Sequence, residues 1–175
     1  SYGRALQASS QAQFVGIYDR DEQRGSRYAK EFGVEYFPDL SMLLKSVDAV
    51  IICSENALHA EYTLAAARAG KHVMCEKPLA TNLDDAYAMI RACEENGVIL
   101  QTAFPMRYST PVVRGKEIVA SGALGKIVAF SGTNRGKMPP GWFLDPELAG
   151  GGAVFDHTVH VTDLMRWYLG CEVKE

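Results

Sequence analysis

The segment GGGAVFDHTVHVTD (150–163) puts Asp156, His157, His160 and Asp163 directly behind three glycines. On a helix, Asp156 and His160 stand four residues apart, so both lie on one face one turn apart. Asp163 shares that face. His157 is rotated by roughly 100° and faces elsewhere, toward a rim. A carboxylate beside an imidazole is the pairing of general acid–base chemistry, because an unperturbed histidine titrates near pH ~6.5. A metal reading would use Asp156, His160 and His157. It ranks below acid–base chemistry, because no third strong ligand stands at a recognisable zinc spacing. A buried histidine held by Asp163 or Asp156 for structural reasons is the competing interpretation. The glycines allow close approach of a neighbouring backbone or ligand and leave the helix start accessible.

A second chemical segment is KHVMCEKPLA (71–80). Lys77 follows an apolar strand-like run, and Pro78 stops that run from extending. A solvated lysine beside Glu76 is the ordinary fate of such a residue. At the carboxyl end of a buried strand, its ammonium can instead stabilise negative charge developing on an oxygen.

The elements that must carry these residues alternate. Short apolar runs at 13–18, 34–37, 48–53, 71–76 and 98–104 read as strands, and DAVIIC is continuous enough to be buried on both faces. Between them, 21–33, 39–46, 56–70 and 82–97 read as helices. Asp21 and Asn56 are candidate N-caps, and Gly33 and Gly70 candidate C-terminal stops. This rhythm predicts an α/β fold, a doubly wound parallel sheet with right-handed crossovers. After residue 104 the rhythm changes: a helix over 110–124, a strand over 125–136, a Pro/Gly-rich loop over 137–152 and a helix over about 154–169. On that last helix, Val154, Val161, Leu164 and Trp167 are expected to cover the packing side. A boundary near 104–109 divides residues 1–104 from 105–175. The opening SYGRALQASS reads as a helix, although a parallel α/β unit should begin with a strand.

Composition narrows the class. The chain has 175 residues, 47% hydrophobic and 22% charged, with a net charge of −3 and scattered basic residues. That balance matches a globular protein and offers no nucleic-acid footprint or polybasic membrane patch. No apolar run is long enough to span a bilayer, and no signal-peptide pattern is visible at the start. Four cysteines without CxxC spacing read as buried reduced thiols of a cytoplasmic protein.

Collinear over essentially the whole chain, from YDRDEQR through GKHVMCEKPLA to GGGAVFDHTVHVTDLMRWYLG, the sequence resembles the Gfo/Idh/MocA family of nicotinamide-dependent oxidoreductases. The resemblance implies a Rossmann-type dinucleotide-binding unit followed by the beginning of an α/β substrate and oligomerisation unit with an open sheet. It implies that the first strand and the Gly-rich GxGxxG turn would precede Ser1, and that most of the second sheet would follow Glu175. It implies NAD as cofactor, with NADP possible, and a secondary alcohol or ketone of a sugar, cyclitol or related polyol as substrate. A homo-oligomer is implied for the complete protein.

The family's catalytic positions fall on Lys77, Asp156 and His160. Asp19, Arg20, Ser54, Asn56, Glu76 and Lys77 fall at cofactor positions, and Arg135, Trp142 and His157 are candidates for the substrate wall. Asp19 at a strand end would accept from the adenosine ribose and favour NAD, unless it caps the next helix, a task for which Asp21 competes. Arg20 could pair with a 2′-phosphate instead. Glu55 departs from the proline the family often carries there. His59 reads as structural. In the implied reaction His160 takes a hydroxyl proton, Asp156 orients it or binds an adjacent hydroxyl, and Lys77 holds the reacting oxygen. Redox-neutral, NAD-assisted glycoside cleavage, a non-catalytic regulator that binds the cofactor, and a metal-dependent hydrolase are the alternatives.

Overall fold

The computed structural model describes residues 2–137 and 139–174, with side chains described except at 153 and 154. The packing expected of Val154 therefore lies outside the described residues. Among the described residues, five short strands form two parallel sheets. β1 (Gly16–Tyr18) pairs with β2 (Glu35–Phe37), with Gly16 opposite Glu35. β4 (His72–Cys75) is central between β3 (Ala49–Ile52) and β5 (Leu100–Thr102), with Ile52 opposite Cys75 and Cys75 opposite Thr102. All pairs are parallel, so the strands of each sheet end on one side. Gly16 is required sterically, because a Cβ there would enter the Phe37 ring and the Glu35 carbonyl.

The helices follow the local signals. α1 is Tyr2–Ala8 and α2 is Glu22–Phe32. Asp21 caps α2 by accepting from the Arg24 amide at 2.9 Å, and Gly33 closes it in the left-handed region at φ 63°. α3 is Leu40–Ser46, capped by Asp39. α4 is His59–Arg68, entered through a 3₁₀ turn at Asn56–Leu58. α5 is Leu83–Glu95, capped by Asn82, which accepts from the Asp85 amide at 2.8 Å. Met89 of α5 and the small residues Ala60 and Ala66 of α4 pack over β3 and β4 with Leu44, Ile52, Val73 and Cys75. Burying Met89 completely contributes roughly 2 kcal/mol.

In the second part, α6 (Thr110–Ala120) packs against α8 (Ala153–Leu169), with the one-turn α7 (Pro146–Ala149) between them in sequence. Four contacts fix α8 and its approach. Lys77 reaches Asp156 in the first turn, and Asn56 donates to the Ala149 carbonyl at 2.9 Å. Arg107 grips Asp163 with two bonds of 2.8 and 2.5 Å, and Lys116 donates to the Trp167 and Tyr168 carbonyls at the C-terminal end. Arg107 also lies 5.5 Å from the Phe104 ring centre. Breaking a fully buried pair from one side costs about 3–5 kcal/mol; the cost here is smaller, because Arg107 keeps contact with water.

Three expectations are corrected. Residues 125–136 form no strand: among the described residues nothing pairs with them, and a ladder needs a partner. Val128 is left 88% exposed. Asn56 does not cap α4: it lies inside the 3₁₀ turn that leads into the helix, and Leu58 holds the cap position. Only Cys75 and Cys93 are buried; Cys53 and Cys171 are exposed, and all four are free. Cys53 escapes burial because β3 ends at Ile52. Burial pushes the Cys75 thiol up to about 12, so it is inert at neutral pH. Among the described residues no helix is long and apolar enough to cross a membrane.

Candidate active site

β4 delivers Glu76 and Lys77 to the carboxyl end of its sheet, where a cis peptide joins Lys77 to Pro78. Glu76 is held from two sides. Its Oε1 accepts from the Tyr2 hydroxyl at 2.6 Å, and its Oε2 accepts from the Lys77 amide at 3.0 Å. Burial first, and then the bond to Glu76, raise the Tyr2 phenol well above its ordinary range, so it stays a donor. His59 is fully buried, within 2.8 Å of the Pro78 carbonyl and 3.3 Å of the Ser54 carbonyl. It ties the loop after β4 to the loop after β3, the structural role expected of it.

The Lys77 ammonium crosses to α8. It donates to the Asp156 carboxylate at 2.5 Å and to the Asp156 carbonyl at 3.2 Å, and both side chains are largely enclosed. Asp156 is therefore engaged with Lys77, and its second oxygen lies 3.7 Å from His157 Nδ1. No hydrogen bond joins Asp156 to His160. Asp163 does not hold His160 either, since Arg107 takes both its oxygens. His160 Nδ1 is buried and finds no partner among the described residues. Burial first, and then the Lys77 charge, hold the imidazole below its ordinary pKa, against the opposing pull of Asp156 and Glu76. The structure joins Lys77 to Asp156 directly, and His160, one turn along α8 from Asp156, is near enough to feel the Lys77 charge without a hydrogen bond to either.

The glycines before α8 matter at one point. Gly150 has φ 74°, and a Cβ there would enter Thr81, so the loop after Lys77 and the entry to α8 can touch only across a glycine. His157 lies under the 127–137 segment: a Cβ on Gly136 would enter its ring, and the Asn134 amide donates to its carbonyl at 3.2 Å. Arg135 is exposed on that segment, and Trp142 stacks on Phe143 with centroids 3.7 Å apart.

At the ends of β1 and β3 stand the other expected residues. Asp19 is not the cap of α2, which Asp21 supplies. Its Oδ1 accepts from the Asp21 amide at 2.9 Å and from Arg24 Nη2 at 2.7 Å, and its Oδ2 accepts from Arg24 Nε at 2.6 Å. Burial raises the Asp19 carboxyl, but the Arg24 bonds and the Asp21 amide outweigh it and hold the group below the usual carboxylate range. Arg20 points instead to Glu55, 3.5 Å away, and so links the end of β1 to the end of β3. Ser54 bonds the Glu55 carbonyl at 3.3 Å. Sequence reading missed Arg24, Tyr2 and Arg107. A basic residue five positions after a strand-end acid was the available signal for Arg24; the other two carried none.

This donor set matches what a dinucleotide needs. A carboxylate closes β1, polar loops close β3 and β4, and an unpartnered imidazole nitrogen stands beside an ammonium. Among the described residues no cluster of three or more His, Cys, Asp or Glu is arranged to hold a metal. Residues 1–104 match the family model described as an oxidoreductase family with an NAD-binding Rossmann fold, and residues 112–175 match a GFO/IDH/MocA C-terminal domain. The chain is 38% identical to 1,5-anhydro-D-fructose reductase of Ensifer adhaerens over 92% of its own length and 50% of that protein's. It is 37% identical to myo-inositol 2-dehydrogenase of Thermotoga maritima over 97% of its length and 51% of that protein's. The crystal structure of GenD2 from gentamicin A biosynthesis in complex with NAD superposes with a TM-score of 0.85 at 29% identity, covering 97% of this chain and 50% of that one. The chain spans about half the length of the curated relatives it matches. With both matched segments collinear and the parallel strands ending at the Glu76–Lys77 pair, the chain belongs to the Gfo/Idh/MocA family of oxidoreductases.

Proposed function

We propose that the protein carrying this chain interconverts a secondary alcohol and a ketone on a sugar, cyclitol or related polyol, with a nicotinamide dinucleotide as redox partner. The observation that carries this reading is the Lys77–Asp156 bond beside a His160 held neutral and unpartnered. Asp19 and the loops bearing Ser54, Asn56 and Glu76 are the residues that would hold the cofactor. When bound, NAD supplies the acceptor for the hydride that leaves the carbinol carbon. Lys77 donates a hydrogen bond to the reacting oxygen and stabilises its developing charge. His160 takes the hydroxyl proton, and because Nδ1 is enclosed, Nε2 is the nitrogen that does so. Asp156 holds the Lys77 ammonium at that point. In the reverse direction His160 returns the proton to the oxygen of the reduced carbonyl. Residues 1–104 form the cofactor unit and 105–175 begin the substrate unit in this reading, with Arg135, Trp142 and His157 on the substrate side.

The test is net production of reduced nicotinamide by the full-length protein on a panel of cyclitols, aldoses and anhydro sugars. Substrate-dependent accumulation of reduced cofactor is the expected result. Glycoside cleavage without net reduction would instead point to the redox-neutral chemistry, and cofactor binding without turnover on any substrate to a regulator.

A further inference from the structure

We infer that Tyr2 is a positioning residue for the reaction: by donating to Glu76 it keeps that carboxylate off the neighbouring Lys77 ammonium and so leaves the ammonium to Asp156. The inference rests on the reading of Lys77 given above and adds a residue to it. Two carboxylates compete for the ammonium. Glu76 is its neighbour in the chain, and Asp156 stands 79 residues away. The ammonium nevertheless bonds Asp156 at 2.5 Å, and among the described residues it makes no ion pair with Glu76. Glu76 explains the choice, because both its oxygens are already engaged. Oε1 accepts from the Tyr2 hydroxyl at 2.6 Å and Oε2 from the Lys77 amide at 3.0 Å. Among the described residues the Tyr2 hydroxyl is thus the side-chain group that restrains this carboxylate. It restrains without cancelling the charge, since a phenol is a neutral donor. It also stays a donor: burial first, and then Glu76, raise its pKa, and Cys53 is the other titratable group that faces it. Tyr2 is itself anchored. A Cβ on Gly3 would enter the Phe32 ring, so α1 lies directly on the end of α2, and Gln7 Nε2 donates to the Phe32 carbonyl at 2.8 Å. The hydroxyl therefore meets Glu76 from a docked helix.

Without the hydroxyl, Glu76 is free to turn to the Lys77 ammonium. His160 reports the change. Burial, Lys77 and His157 hold its pKa down, and Asp156 and Glu76 push it up. Drawing the ammonium toward Glu76 weakens the Lys77 effect and leaves Asp156 less compensated, so both changes favour the protonated imidazole. Tyr2→Phe deletes one oxygen and keeps the ring. It is expected to move the His160 titration to higher pH in the cofactor-free, full-length protein, read from imidazole NMR shifts, with His160→Asn identifying the signal. Tyr2→Phe/Glu76→Gln should titrate as Glu76→Gln alone does, because an amide has no charge with which to draw the ammonium. On a polyol that the wild-type protein turns over, Tyr2→Phe should lose roughly tenfold in kcat, the size of one charge-assisted hydrogen bond. KM and the NADH dissociation constant should stay within about twofold. An unmoved His160 titration in Tyr2→Phe, even with a lowered melting temperature, would reduce Tyr2 to packing and overturn the inference. A shift of equal size with and without the Glu76 charge would overturn it too. So would weakened NADH with unchanged kcat, which would assign the hydroxyl to cofactor binding. Turnover on no polyol would remove the reading of the reaction, and the His160 titration would still decide whether Tyr2 governs the ammonium.

Discussion

Replacing His160 by asparagine is expected to lower kcat of the full-length protein by about 10²- to 10⁴-fold, the usual contribution of a positioned general base. The affinity for NADH should stay within about twofold, because a loss confined to the proton-transfer step leaves cofactor binding intact. The basis is the chemical state of this imidazole. It is half-buried, carries an enclosed Nδ1 without a partner, and sits beside an ammonium that opposes its protonation. Burial and the Lys77 charge thus favour its neutral form, the one able to accept a proton. Steady-state kinetics and fluorescence titration of the same preparation check both parts. Full activity in the asparagine variant would remove His160 from the chemistry.

Lys77→Met should cost a comparable factor, about 10²- to 10³-fold in kcat, as removal of one donor to a developing oxyanion does. It also carries a signature that a packing defect lacks. The Lys77 charge lowers the His160 pKa, whereas Asp156 raises it. Removing the ammonium deletes the first effect and leaves the Asp156 carboxylate, now without its 2.5 Å partner, to act alone. The imidazole then binds its proton at higher pH. Since the alcohol-oxidising form is the neutral one, the acid limb of kcat should move to higher pH in the variant. A variant with reduced kcat and an unmoved or lower acid limb would separate Lys77 from His160 and break the shared cleft.

The parts of this molecule legible in its sequence are those written by neighbours in the chain. Asp21 before α2, Asn82 before α5 and Gly33 after α2 act within a few residues, so their types declare their roles. The run at 49–52 declares a strand because β-branched residues on both faces suit little else. At the site, Glu-Lys-Pro after a strand singled out Lys77 and the glycine-led helix singled out Asp156, and these two are in direct contact. What stayed hidden depends on partners far along the chain. Asn56 reads as a cap from its neighbours, yet it sits inside the 3₁₀ turn before α4, and its side-chain amide donates to the Ala149 carbonyl 93 residues later. Asp163 shares a helix face with His160, which suggested an interaction, but Arg107 reaches it first across 56 residues. Residues 125–136 have a strand-like run and no ladder, since propensity describes a preference and pairing requires a second strand. Asp156 was expected to orient His160 or to bind an adjacent hydroxyl; its carboxylate accepts from Lys77, a partner 79 residues away that its neighbours in the chain do not announce.

Transfer of isotope in a single turnover tests the proposed chemistry most directly. Full-length protein, stoichiometric NAD and a polyol substrate deuterated at the carbinol carbon should yield reduced nicotinamide that carries the deuterium, with none in the solvent. His160→Asn, given the same mixture, should bind the cofactor and form labelled product far more slowly. Deuterium released to water, or product formed without any labelled reduced cofactor, would contradict hydride transfer at the site built by Lys77, Asp156 and His160.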